Sequence, residues 1–149
     1  MKFKIEAARD VMLYLELHLK PHTTASGKFE YDKISMKKLV DALTPSDHYT
    51  PDEVKYAIIQ LHQSNMVKAR GASTDQRVSI LDVYDITPDG HTFIESVRSP
   101  KFFDKLKTHL SGTAEEALKN APKFALKILL ADHNELPDAI ADSIPKLLG

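Results

Sequence analysis

The chain has 149 residues, of which 42% are hydrophobic and 28% are charged, and this composition is typical of one soluble globular domain with a single core. Twenty basic and 21 acidic side chains leave a net charge of −1, so any attraction for nucleic acid requires a local basic patch. The absence of cysteine excludes disulfides, thiolate metal sites and cysteine nucleophiles. Because no signal-peptide core or membrane-length apolar run is present either, we expect a cytoplasmic protein that does not contact a membrane.

The first half of the chain predicts three helices and one short extended segment. A broad apolar stripe over residues 7–19 predicts a first helix, and residues 29–31 favour a short extended piece. Ser35 then precedes a second helix over residues 36–43. The third helix has the clearest start, because Thr50 and Glu53 have the spacing of a capping box. Its predicted core face consists of Val54, Ala57, Ile58 and Leu61.

Residues 66–87 predict a β-hairpin with a loop of about six residues, and residues 71–77 would form its tip. Asp82 falls on the apolar face of the second strand, which indicates a bulge or a strand end near that point. The order of helix, extended piece, two helices and hairpin is that of a winged helix-turn-helix, in which the third helix enters the DNA major groove in members that bind DNA. We therefore predict a mainly α fold with a small β-hairpin.

Only helices are predicted after the hairpin. Ser99 and Pro100 begin one helix, Thr113 and Glu116 have the spacing of a second capping box, and Pro122 is expected to start a fresh helix. The last residues contain two prolines around a short amphipathic segment, whose order we expect to depend on docking. We predict a winged-helix domain over residues 1–98 and a C-terminal helical extension over residues 99–149 that packs on it.

The segment between Tyr84 and Arg98, YDITPDGHTFIESVR, carries a family resemblance. It resembles a family of small winged-helix proteins of unknown function that is common in bacteriophages and prophages. The most specific positions are Ile86, Thr87, Gly90, His91, Phe93 and Arg98, in their order and spacing. The resemblance implies a winged-helix fold and a mobile-element setting, and it implies no catalytic residues.

The same segment holds the residues that look most like an active site. Asp85, Asp89 and His91 have the side chains of an acid, a base and an orienting group. However, Thr87 is a good helix cap, Pro88 suits the first helical position, and the positive end of the helix dipole favours Asp89. We therefore expect a noncatalytic protein, and the sequence predicts no metal site and no cofactor.

A binding surface is predicted on the second and third helices and on the hairpin. Residues 28–78 contain eight basic and seven acidic side chains. This excess of one positive charge is small for contact with phosphates. The candidate contact residues for DNA or a protein partner are Lys37, Lys38, Lys55, Tyr56, Ile59, Gln60, Gln63, Arg70 and Arg77.

Three interpretations of this surface stay open. The leading one is that it binds double-stranded DNA or regulates a DNA-acting system. The second is that it binds a protein partner, with Tyr56 and Ile59 as apolar anchors. The third is that the C-terminal helices cover the third helix. A homodimer through the terminal helices is also predicted, from the apolar residues Phe124, Leu126, Ile128, Leu129 and Leu130.

Overall fold

The computed structural model describes residues 2–45, 48–74 and 77–131, and for residues 72–74, 77–80 and 131 it describes the backbone alone. These residues are mainly helical, as predicted, with two small antiparallel sheets. The helices are α1 Ile5–His18, α2 Met36–Leu43, α3 Pro51–Gln63, α4 Pro88–Val97, α5 Pro100–Lys107 and α6 Ala114–Ala131. The strands are β1 His22–Thr23, β2 Phe29–Glu30, β3 Ile34–Ser35, β4 Val67–Thr74 and β5 Arg77–Ile86.

The larger sheet has the strand order β3–β5–β4, and both of its pairings are antiparallel. The sequence placed the first extended piece at residues 29–31, but β2 pairs only with β1, in a separate two-stranded sheet. The third strand of the larger sheet is instead Ile34–Ser35, which pairs with Val83 and Asp82 of β5. Two residues leave too short a pattern for period-2 alternation to be recognised.

The hairpin differs from its prediction at its loop. Strand pairing continues to Thr74 and Arg77, so the prediction of a loop of about six residues with its tip at residues 71–77 was wrong. The residues between Thr74 and Arg77 lie outside the described part of the chain. The irregularity expected near Asp82 is confirmed. Lys68 faces Asp85 and Ala69 faces Val83, which makes Tyr84 the extra residue of a bulge.

The predicted caps begin their helices. The Thr50 hydroxyl accepts a hydrogen bond from the Glu53 amide at 3.2 Å, and the Glu53 carboxylate accepts one from the Thr50 amide at 2.9 Å. Thr113 and Glu116 make the same reciprocal pair, at 3.2 Å each, before α6. These bonds satisfy amides that have no partner inside the helix, so both capping boxes are confirmed.

One hydrophobic core extends from Ala7 in α1 to Leu129 in α6. The predicted core face of α3 is confirmed, because Val54, Ala57, Ile58 and Leu61 are all buried. The helices that follow α4 contribute to this same core through Phe103, Leu106 and Leu118. The division of the chain at residue 98 stays a prediction.

The last described helix, α6, corrects a prediction. Pro122 does not start a new helix but lies inside α6. The buried residues of α6 run on both sides of the proline without a break: Ala114, Ala117, Leu118, Ala121, Ala125 and Leu129. Packing of this stripe stabilises one continuous helix, although proline removes a backbone hydrogen bond there. None of the described helices combines the length and apolar character needed to cross a bilayer.

Candidate nucleic-acid interface

The residues that begin α4 connect this helix to the end of α3. The hydroxyl of Thr87, which is buried, donates to the carbonyl oxygen of Asn65 at 2.6 Å and accepts from the Gly90 amide at 3.0 Å. A Cβ atom on Gly90 would lie 2.0 Å from the Met66 carbonyl oxygen and 2.8 Å from Cγ2 of Ile86. Thr87 therefore caps α4, as the sequence predicted, and Gly90 allows close packing of α4 against the backbone at Met66.

Helix α3 ends at the same point, with a residue in the left-handed conformation that glycine usually occupies. Asn65 has a φ of 59°, in the left-handed region that asparagine tolerates better than most residues. The Met66 amide donates to the Leu61 carbonyl at 2.9 Å, and the Asn65 amide donates to the His62 carbonyl at 3.1 Å. This is a Schellman motif, and it fixes the direction in which the chain leaves α3 for β4.

The arginine that closes the YDITPDGHTFIESVR segment joins α4 to α1. The Arg98 guanidinium donates to both carboxylate oxygens of Glu16 at 2.7 Å and to Glu95 at 3.0 Å. The hydrogen bond from Arg98 lowers the pKa of Glu16, with a smaller contribution from the charge of His91, while burial opposes the shift. Since the Glu16 bond also raises the pKa of Arg98, the pair is charged at neutral pH.

A second arginine, Arg9 of α1, contacts the C-terminal end of α4. Arg9 donates to the carbonyl oxygens of Val97 at 2.6 Å and Arg98 at 2.9 Å, and its guanidinium lies 5.2 Å from the centre of the Phe103 ring. A cation at this position satisfies carbonyls that have no helical partner. The terminal regions of α4 are thus occupied by structural contacts.

His91 is the remaining candidate for chemistry in this segment. His91 is exposed on the first turn of α4. Within the described residues, no three histidine or acidic side chains are grouped in a way that would hold a metal ion.

The predicted contact residues of α3 divide into two groups. Lys55 and Gln63 are exposed, whereas Tyr56, Ile59 and Gln60 are half-buried. Helix α6 contacts α3 as well as α4. The contact between α6 and α3 therefore supports the third interpretation, in which the C-terminal helices cover part of α3.

The predicted contact residues on α2 and the hairpin are exposed where their side chains are described. Lys37 forms an ion pair with Asp41 at 2.9 Å, and Lys38 is exposed one residue further along. The guanidinium of Arg70 lies 5.1 Å from the centre of the Tyr84 ring. The side chain of Arg77 lies outside the described part of the chain.

The sequence profile of the hypothetical-protein family DUF2513 matches residues 2–116, which is well over half of the chain. The chain belongs to DUF2513. The match covers α1 to α5 and the start of α6, and so it crosses the domain boundary that we predicted at residue 98. No curated protein and no solved structure shows significant similarity to the chain.

This DUF2513 chain also has an aromatic surface that sequence reasoning missed. Phe29 and Tyr31 are 64% and 51% exposed, and their ring centroids lie 5.6 Å apart in an edge-to-face arrangement. They line a groove of about 480 Å³, here called the aromatic groove, together with Glu30, Lys33, Arg70, Asp82 and Tyr84. The signal available in the sequence was the pair of aromatics two residues apart, but their exposure depends on the separate sheet of β1 and β2.

Proposed function

We propose that this DUF2513 protein is a noncatalytic winged-helix protein of phage or prophage type that acts in the cytoplasm and binds double-stranded DNA or regulates a DNA-acting system. The strand order β3–β5–β4 is the observation that carries the proposal. With α2 and α3 between β3 and β4 in the sequence, this order supports a winged-helix arrangement, in which α3 would be the recognition helix and β4–β5 would be the wing.

Exposed cations support a DNA-facing role for α2, α3 and the wing. Lys38 on α2, Lys55 on α3, and Lys68 and Arg70 on β4 are all exposed. Lysine and arginine side chains at such positions contact phosphates and release counterions, which supplies most of the nonspecific affinity of DNA-binding proteins. Gln63, which is exposed at the end of α3, has the hydrogen-bonding groups to read a base edge.

The acidic side chains of α3 determine where DNA would approach. Asp52 and Glu53 lie in the first turn, and Glu53 is already bound to Thr50 and Lys4. Carboxylates repel phosphates, so the proposal places DNA contacts on Lys55, Gln63 and the wing.

Fluorescence anisotropy with pooled genomic DNA at low and moderate salt tests direct binding. We expect an affinity that falls as salt rises, because counterion release drives the contact. An absence of salt-sensitive binding at micromolar protein would refute direct DNA binding.

A protein partner is the second candidate function, and the aromatic groove favours it. Exposed aromatic side chains are uncommon on a monomer surface and are enriched at protein interfaces. Partner capture from a host lysate should then be lost with Phe29→Ser and retained with Tyr56→Ala, because Tyr56 is half-buried. Equal recovery of the partner by wild type and Phe29→Ser would show that the aromatic groove does not bind the partner.

A further inference from the structure

A cleft of about 790 Å³ lies where three separate segments meet: the N-terminal residues, the connection between α2 and α3, and the connection between α5 and α6. Small-molecule sites in proteins usually enclose roughly 300–1,000 Å³. The cleft is therefore large enough for a small organic ligand. Its composition indicates which chemical class would fit.

The cleft has an apolar wall. Phe3, Ile5 and Leu110 line it, and each is half-buried against the hydrophobic core. These side chains are held by core packing and remain partly accessible from the cleft. An apolar or aromatic group that displaced water from this wall would be stabilised by the hydrophobic effect.

The polar lining is mainly basic. Lys2, Lys4 and Lys107 line the cleft, and Glu6 is the one acid among the described lining residues. Lys4 is bound to Glu53 at 2.5 Å, and Lys107 lies 3.4 Å from Asp104 and 3.8 Å from Glu6. Lys2 is exposed and has no ion pair with a described residue. We call this feature the lysine cleft; three lysines and one acid line it, and Glu53 and Asp104 pair with two of these lysines from outside the lining, so Lys2 is the ammonium available to a ligand.

The tyrosine in the cleft contributes an aromatic face and no free hydroxyl. Tyr49 donates its hydroxyl hydrogen to Asp10 at 2.6 Å. Burial and this hydrogen bond raise the pKa of Tyr49 above its ordinary value, so the hydroxyl stays protonated and bound to Asp10. The His48 ring lies 6.4 Å from the Tyr49 ring, and both side chains line the lysine cleft.

We propose that the lysine cleft binds a small organic anion in which an acidic head group, a carboxylate or a phosphate, is joined to an apolar body. The ammonium group of Lys2 would hold the head group, and the wall of Phe3, Ile5 and Leu110 would hold the body. Neither half of the cleft alone selects this class, because exposed lysines bind small anions weakly and an apolar wall does not require charge. The proposal does not depend on DNA binding.

Nuclear magnetic resonance titration of the isotope-labelled full chain tests the proposal. The probes are hexanoate and phenyl phosphate, which distinguish a carboxylate from a phosphate head group, and the controls are inorganic phosphate and hexanol. We expect at least one probe to shift the amide signals of residues 2–6 and 107–112 saturably, and to bind about five-fold or more tightly than either control. Equal binding of a control, absence of saturable binding by both probes, or shifts centred elsewhere would overturn the proposal.

Reversal of one charge in the lysine cleft is the second test of the proposal. Lys2→Glu should weaken binding of the preferred probe about five-fold, since it replaces a favourable charge contact with a repulsive one. Lys101→Glu is the matched control, because Lys101 is exposed on α5 and does not line the cleft. An unchanged affinity for Lys2→Glu, or an equal loss in both variants, would contradict binding at the lysine cleft. The spread of the amide signals shows in the same samples that each variant is folded.

Discussion

Gly90 lies where the first turn of α4 meets the backbone that leaves α3. A Cβ atom there would come within 2.0 Å of the Met66 carbonyl oxygen, which belongs to the backbone and cannot rotate away. We expect Gly90→Ala to lower the free energy of unfolding by about 3 kcal/mol, the upper range for overpacking a close contact. Urea denaturation followed by circular dichroism measures this change.

Gly27 provides the matched comparison for Gly90. It has a φ of +84°, and no atom lies within 4 Å of an added Cβ. Gly27→Ala should therefore cost only about 1 kcal/mol, from the left-handed backbone alone. A loss for Gly90→Ala no larger than that for Gly27→Ala would show that the contact with Met66 relaxes easily.

The ion pair between Glu16 and Arg98 predicts a pH-dependent stability. The pKa of Glu16 in the folded protein lies below its ordinary value of 4.5, so the pair stabilises the fold above that pH. This contribution is lost as the pH falls through the folded-state pKa. Because both side chains are about one third exposed, we expect Glu16→Gln to cost only about 1 kcal/mol at pH 7.

Urea denaturation at pH 7 and pH 3 checks this prediction. The wild type and Glu16→Gln should differ at pH 7 and differ less at pH 3, because protonation of Glu16 removes the charge contact with Arg98. Glu115→Gln is the control, because Glu115 forms an exposed pair with Lys119 and should change the free energy of unfolding by less than about 0.5 kcal/mol. A difference between wild type and Glu16→Gln that is the same at both pH values would contradict the assignment.

At the scale of single elements, α6 continues through Pro122, although proline lacks the amide that would complete the helical ladder. Pro122→Ala should restore one hydrogen bond and raise the free energy of unfolding by about 1–3 kcal/mol. Thermal denaturation followed by circular dichroism measures the change, with the exposed Lys123→Ala as control. A lower stability for Pro122→Ala would indicate that the proline ring itself packs favourably.

The elements that sequence could predict are those with local signals. A capping box such as Thr50 with Glu53 is contained in four residues, and the buried stripe of α3 follows from its 3.6-residue period. The continuity of α6 depended instead on packing against other helices, which outweighed the effect of Pro122. Likewise, β3 is defined by its pairing with β5, a partner nearly fifty residues away, and not by a pattern of its own.

The candidate site residues also differ in how far the sequence predicts their exposure. The helical period of α3 places Gln63 on the outward face and Lys55 at its flank, and both side chains are exposed. The same period places Tyr56 outward, and its half-burial depends on tertiary packing, which the helical period does not contain. The lysine cleft joins residues from three distant segments, and no short motif in the sequence indicates it.

At the scale of the whole molecule, the packing of α6 buries part of the apolar surface that suggested a homodimer. Leu129 is buried, while Phe124, Leu126 and Ile128 are half-buried. Leu130 on α6 is 67% exposed and Leu17 on α1 is 65% exposed, so each terminal helix still presents one leucine. We predict a dimer that light scattering detects at micromolar concentration and that Leu130→Lys weakens; a monomer mass for the wild type would contradict it.

The proposal that α3 and the β4–β5 wing contact DNA makes a quantitative prediction about salt. Each phosphate contact contributes about −0.9 to the slope of the logarithm of the association constant against the logarithm of salt concentration. Removing one contact with Lys55→Ala or Arg70→Ala should reduce the magnitude of the slope by about 1 and weaken binding to all sequences similarly. Lys123→Ala on α6 should leave the slope unchanged.

Fluorescence anisotropy of these four proteins on one DNA duplex, repeated over a range of salt concentrations, is the most direct test of the proposed function. We predict a clear negative slope for wild type and Lys123→Ala, and a shallower one for Lys55→Ala and Arg70→Ala. A wild-type slope near zero, or the same slope for all four proteins, would contradict the proposal that α3 and the wing bind DNA.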